Sequence, residues 1–196
     1  CELKKVPSLF KRDYDGTHQV YDDVVPGSEW VLSGEGVATE KIDGTACLIE
    51  DGVFDKRYDR RKQKKTGKYK PVPDGWVACE EHPNEHTGHW PGWLPVDENH
   101  PGDKWHLEAF ANGEYDDGTY ELVGPKVQGN PHGYNKHLLI KHGANLLEDI
   151  PVTFEGIRLF LMKNLIEGIV WHHPDGRMCK IKRRDFGFTW PIKKRE

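Results

Sequence analysis

The chain has 196 residues, 36% of them apolar and 31% charged, and a formal net charge of −4. That length suits a single domain with a sizeable core. Seven Trp and seven Phe exclude a disordered chain, and the acidic balance excludes a protein that coats nucleic acid with its whole surface. Residues 1–35 are mixed, with turn signals at Pro26-Gly27 and Gly34. Residues 36–58 read as a β meander: a strand over Val37–Lys41, a second over Thr45–Glu50, the Asp51-Gly52 turn, and a third over Val53–Tyr58. Residues 61–103, rich in Lys, Gly, Pro and His, read as one long irregular insertion, and long ordered loops are often functional. Strands are expected over Trp105–Phe110 and Tyr120–Val127, around a Gly113–Gly118 turn. Helices are expected over Lys136–Leu147 and Thr153–Asn164, the second with an apolar face offered by Ile157, Leu159-Phe160-Leu161 and Leu165. Strands return over Glu167–His172 and Met178–Arg183, joined by Pro174-Asp175-Gly176. The pattern predicts an α+β fold dominated by antiparallel sheet, in one domain over residues 1–196.

Basic residues are concentrated. Lys56–Lys70 holds nine Lys or Arg and Lys180–Arg195 holds seven, which is 16 of the 28 in the chain. Each run is either a solvated face or a phosphate-binding surface. Cys1, Cys47, Cys79 and Cys179 form no Cys-x-x-Cys pair and are too sparse for a disulfide framework. They read as free thiols in a reducing compartment. With no apolar run of transmembrane length and no signal peptide, the expectation is a soluble intracellular protein, cytoplasmic or nuclear, without a membrane partner. No obligate protein partner is evident.

The chemistry gathers around Glu40, Lys41 and Asp43, in the string Thr39-Glu40-Lys41-Ile42-Asp43-Gly44-Thr45. A lysine attacks only as the neutral amine, a form that cationic neighbours or burial favour. Lys180 and Lys182 lie two apart on a predicted strand and so point to one face. If that face looks at Lys41, they supply those neighbours and also neutralise phosphates. Gly44 lets the chain turn tightly after the lysine. Glu121, in Thr-Tyr-Glu-Leu-Val-Gly, and Glu167, before Gly-Ile-Val-Trp, are either caps and salt-bridge partners or groups for ribose hydroxyls and Mg²⁺. The guanidinium forks of Arg57 and Arg60 suit phosphate or carboxylate. Arg60, Lys62, Lys64 and Lys65 are candidates for RNA contact. His82, His86 and His89, with Glu81 and Glu85, have spacing that a metal could use, although an exposed loop explains them as well.

Taken in order, these elements resemble the covalent nucleotidyltransferase superfamily of ATP-dependent DNA ligases, RNA ligases and mRNA capping enzymes. Asp-Lys-Trp-His-Leu at 103–107, Gly-Thr-Tyr-Glu-Leu-Val-Gly-Pro at 118–125, Gly-Asn-Pro at 129–131 and Glu-Gly-Ile-Val-Trp at 167–171 are similar to the small vertebrate-type 5′-to-3′ RNA ligases. The resemblance covers residues 36–186. It implies an antiparallel-sheet-rich adenylyltransferase domain of the ATP-grasp-like ligase type, with ATP and Mg²⁺ (or Mn²⁺) as cofactors. RNA with 5′-phosphate and 3′-hydroxyl ends is the implied partner. It assigns lysyl-AMP formation to Lys41, adenine recognition to Glu40, and the ribose and RNA end to Arg57. Glu121 takes the ribose, Lys180 and Lys182 take the α-phosphate, and Asp43 and Glu167 organise the metal's hydration shell. Ala46 departs from the phage nick-sealing enzymes, which carry a polar residue there. The chain ends 14 residues after Lys182, so no OB-fold domain is expected. The alternatives are a DNA ligase or capping-type guanylyltransferase of the same superfamily, or a non-catalytic nucleotide- or RNA-binding module.

Overall fold

The computed structural model describes residues 5–192. In chain order it runs β1 (Phe10–Arg12), β2 (Val20–Val24), α1 (Glu29–Leu32), β3 (Val37–Glu40), β4 (Thr45–Glu50), β5 (Val53–Arg57), β6 (Val77–Ala78) and β7 (Gly92–Pro95). It continues through α2 (Lys104–Ala111), β8 (Gly118–Val123), β9 (Leu138–Lys141), α3 (Phe154–Lys163), β10 (Gly168–His172) and β11 (Met178–Lys182). Short 3₁₀ turns at Pro101–Asp103 and Arg183–Phe186 complete it. The chain is α+β, and every pair of named strands is antiparallel.

The chain divides into two compact units, Lys5–Ile42 with residues 142–192, and Asp43–Lys141. In the first, β1 pairs with β2, and a three-stranded sheet has the order β11-β10-β3. Helix α3 starts where Thr153 Oγ1 accepts the Gly156 amide at 3.1 Å, a standard N-cap. Its Ile157 and Leu161, one turn apart, are fully buried with Phe10, Val31, Ile169 and Ile181. In the second unit the six-stranded sheet has the order β6-β7-β5-β4-β8-β9. Asp51 and Gly52 carry φ of 51° and 76°. Two left-handed residues in a row make the type I′ turn that the β4–β5 hairpin requires. Cys47, Ile49, Tyr120, Leu122 and Leu139 form this unit's core with Ala109 of α2.

Four expectations need correction. Residues 36–58 are not a meander: β3 pairs with β10, and only β4 and β5 form a hairpin. The apolar character of Val37–Glu40 suited any sheet, and its partner lies more than a hundred residues away in the chain. Trp105–Phe110 lies in α2 rather than a strand. Leu107, Glu108 and Ala109 are good helix formers, and Trp105 and Ala109, one turn apart, share the inward face, with Trp105 stacked on His137 at 4.5 Å. Lys136–Leu147 is not a helix. Residues 138–141 form β9 against β8, and residues 145–147 run beside β3 through Glu40 N–H to Asn145 O and Leu147 N–H to Ala38 O. The strand expected over Tyr120–Val127 stops at Val123, because Gly124 takes φ of 147° where a Cβ would lie 2.3 Å from the His137 ring.

The helix expected over Thr153–Asn164 forms with those two residues as its caps, and residues 61–103 are mostly turns, interrupted by β6 and β7. Cys47, Cys79 and Cys179 are free thiols, and Cys1 lies outside the described residues. Among the described residues, no helix is long and apolar enough to cross a membrane.

Candidate active site

Lys41 follows β3 directly and is held to β10 by its own amide, which donates to Gly168 O at 2.9 Å. Its Nζ lies 3.2 Å from both carboxylate oxygens of Glu167, the residue just before β10. Both side chains are largely sheltered, at 26% and 13% exposure. Ion pairs withdrawn from water in this way are screened less than surface pairs. Glu40 sits opposite Ile169, with its amide bonded to Asn145 O at 2.8 Å.

Strand β11 alternates as expected. Cys179 and Ile181 are fully buried on one face, and Lys180 and Lys182 lie on the other, in register with Val170 and Gly168. Gly168 is required here, because a Cβ would fall 2.2 Å from Ile181 O. Burial, and then the positive charges of Lys182 and Lys41, push the Lys180 pKa down to about 8. Lys180 therefore stands within electrostatic reach of Lys41 and Lys182, a grouping of cations that suits an anion. Lys182 is fixed through its amide, which donates to Asp185 at 2.8 Å, and Asp185 is buried and ion-paired to Arg12.

The Asp43–Lys141 unit holds the next group. The Asp43 amide donates to His132 Nε2 at 2.8 Å, and the Gly44 amide donates to Glu121 Oε1 at 3.1 Å. Gly44 has an ordinary φ, and a Cβ there would lie 2.0 Å from Leu122 O. Close approach to β8, rather than a left-handed turn, is what demands glycine at this position. Glu121 faces Ala46 across the β4–β8 pair.

Arg57 ends β5 with its Nε 2.9 Å from Asp59, and its guanidinium stands 5.6 Å over the Trp93 ring. Arg60 stands 5.1, 5.1 and 5.6 Å over Tyr69, Trp76 and Trp90, and donates to Lys70 O at 3.1 Å. Its guanidinium is the centre of an aromatic box that ties the insertion together. Lys62 lies 5.8 Å over Tyr69, while Lys64 and Lys65 occupy an exposed turn. His82 and His86 are exposed, and no three His, Cys, Asp or Glu side chains group to hold a metal among the described residues. Of the second basic run, Lys193, Lys194 and Arg195 lie outside the described residues.

The sequence reading missed His132. It stands beside Gly129-Asn130-Pro131, and that string was the available signal. Asn130 closes a turn by accepting the Tyr134 amide and donating to Tyr134 O, both at 3.0 Å, with His132 inside the turn. An amide donor at 2.8 Å requires Nε2 to be the unprotonated nitrogen.

The RNA ligase 1 family profile matches residues 107–196. RNA ligase 1 of Rattus norvegicus is 30% identical to this chain, across 97% of the chain and 79% of that protein. RNA ligase 1 of Pongo abelii is 30% identical, across 80% of the chain and 69% of that protein. RNA ligase 1 of Danio rerio is also 30% identical, across 79% and 68%. With these relatives matched over most of its length and of theirs, the chain belongs to the RNA ligase 1 family.

Proposed function

We propose that this protein is an ATP-dependent RNA ligase of the nucleotidyltransferase fold, working through lysyl-AMP. The observation that carries the reading is the Lys41–Glu167 pair on the three-stranded sheet, with Lys180 and Lys182 on β11 and a depressed pKa at Lys180. Lys41 Nζ attacks the α-phosphorus of ATP. A P–N bond forms, the bond to the β-phosphate oxygen breaks, and pyrophosphate leaves. An oxygen of an RNA 5′-phosphate then displaces Lys41 and takes the AMP. A 3′-hydroxyl attacks that 5′-phosphate, a phosphodiester forms, and AMP departs.

The chain contributes position and charge to each step. Lys180 and Lys182 neutralise the α-phosphate, Glu40 accepts from the adenine amino group, and Glu121 takes the ribose. Arg57 serves the ribose and the RNA end. The Lys41 ammonium, held by Glu167, must lose a proton before it attacks. Asp43 and Glu167 are each carboxylates of the kind Mg²⁺ takes, since that ion is ordinarily held by one or two carboxylates with substrate phosphates and waters. Bound Mg²⁺ supplies charge neutralisation on the phosphates.

Labelling with α-labelled ATP, read on a denaturing gel, tests the reading. Wild type should acquire an acid-labile label. Lys41→Ala should lose it, yet still seal RNA supplied with a pre-adenylated 5′ end. Normal labelling of Lys41→Ala would sink the assignment. Equal labelling from GTP would remove Glu40 as the adenine reader and favour the capping-type alternative.

A further inference from the structure

A second feature of the Lys5–Ile42 and 142–192 unit bears on how RNA is held. Residues 7–9 run beside β11: the Lys180 amide donates to Pro7 O at 3.0 Å, and the Leu9 amide donates to Lys180 O at 2.9 Å. Next to this junction lies a cavity of about 590 Å³, within the range of ligand sites. Its walls carry the cations Lys5, Lys11, Arg12 and Lys180, and none of its lining residues is acidic. Lys11 is paired to Asp23 at 2.8 Å and Arg12 to Asp185, so part of that charge is balanced from outside the cavity. Lys180, which also lines the cavity, has its pKa lowered first by burial and then by the positive charges of Lys182 and Lys41, with Asp185 opposing. Ser8 also lines the cavity, and its buried Oγ has no hydrogen-bond partner. Two further lining residues are aromatic and open to solvent, Tyr14 at 73% exposure and Tyr21 at 45%.

Cations interleaved with exposed aromatic rings are the general recipe for an unpaired polynucleotide, whose phosphates meet the charges while its bases stack on the rings. An acidic peptide would use the cations and leave the tyrosines unexplained. A small anion would use neither the rings nor the length of the cavity. We propose that this cavity holds an unpaired segment of the RNA substrate, with phosphates on Lys5 and Lys11 and bases stacked on Tyr14 and Tyr21. Lys180 lines the cavity and also lies on the lysine face of β11, so the segment would run toward the phosphate whose transfer is proposed above. The inference rests on that reading for the direction of the strand, but not for its binding.

The test uses the full chain and a short fluorescent single-stranded RNA with a 5′-phosphate. Tyr14→Ala/Tyr21→Ala should weaken RNA binding, read by anisotropy, by about tenfold or more, since stacking on aromatic rings is sequence-tolerant and substantial. Tyr14→Phe/Tyr21→Phe should restore it, because stacking needs the ring and not the hydroxyl. Lys11→Ala should lower the salt dependence of binding. Label transfer from ATP to the protein should be unchanged in all of these variants. Undiminished RNA binding by the double alanine variant overturns the proposal. So does a raised KM for ATP in the labelling step, which would give the cavity to the triphosphate, and so does an equal loss for fully duplex RNA. Absence of lysyl-AMP in wild type overturns only the ligase reading, while the anisotropy result still decides the cavity.

Discussion

At the scale of single residues, Lys180 and His132 carry consequences that can be measured. Burial and neighbouring cations lower the Lys180 pKa from 10.5 to about 8. A lowered lysine pKa means that the folded state resists the proton. Between about pH 8 and 10.5 the unfolded chain binds more protons at this group than the folded one, so its contribution to stability rises with pH across that window. Below it, holding the charge costs the fold. Lys180→Met should therefore be more stable than wild type toward urea at pH 7, and the gain should shrink as the pH approaches 10.5. A stability difference that does not vary with pH would show that Lys180 does not titrate as described. His132→Ala removes the acceptor of the part-buried Asp43 amide, and since a fully buried donor left unpaired costs about 1–3 kcal/mol, the loss here should fall toward the low end of that range. The expected readout is a lower urea midpoint with an unchanged slope, together with slower lysyl-AMP formation. His132→Asn, which offers a side-chain oxygen, should recover part of both. An unchanged midpoint and rate in His132→Ala would leave the Asp43 turn supported by other groups.

Elements impose the next level of constraint. The β10–β11 pair brings Glu167, Lys180 and Lys182 to one end of a sheet because Gly168 lets the backbones approach, and the β4–β8 pair does the same for Glu121 through Gly44. Two glycines in two different strand pairs thus set where the charged groups stand. The insertion between β5 and β7 has few backbone hydrogen bonds within strands and relies instead on Arg60 among Tyr69, Trp76 and Trp90. Each such cation–π contact is worth about 0.5–1 kcal/mol at partly exposed sites. Arg60→Ala should loosen this segment without unfolding the sheet. Limited trypsin digestion should then cut faster after Lys62, Lys64 and Lys65 while the melting temperature moves little. Cleavage at the wild-type rate would mean that the aromatic rings hold the segment without the guanidinium.

For the whole molecule the relevant quantity is charge distribution. The net charge of −4 opposes a polyanion, while nine of the basic residues lie within Lys56–Lys70. On the proposed reading, RNA is held by local clusters against that net charge. Affinity should fall steeply with added salt, and a plot of log affinity against log salt should be linear. Changing Lys62, Lys64 and Lys65 together to Ala should flatten that slope and slow joining, with lysyl-AMP formation intact. If the slope is unchanged, those lysines form a solvated loop and other cations carry the strand.

The sequence by itself determined the local and covalent parts of this protein. Asp51-Gly52 marked the turn of a hairpin, the period-two pattern of β11 put Lys180 and Lys182 on one face, and the apolar residues from Ile157 to Leu161 marked a helix over Thr153–Asn164. The ordered strings around Lys41, Glu121 and Glu167 pointed to the family. Each of these depends on neighbours within a few residues, which is the range over which turn chemistry and side-chain periodicity act. Only the tertiary structure decided the partners of those groups. The pairing of β3 with β10 delivered Glu167 to Lys41, and His132 reached the Asp43 amide from eighty-nine residues away in sequence. Arg60, which by composition is one more member of a basic run, became the centre of an aromatic box. Strand pairing across long chain separations depends on which apolar faces are buried together, and short apolar runs such as Val37–Glu40 or Leu138–Lys141 are compatible with many partners until the whole chain has packed.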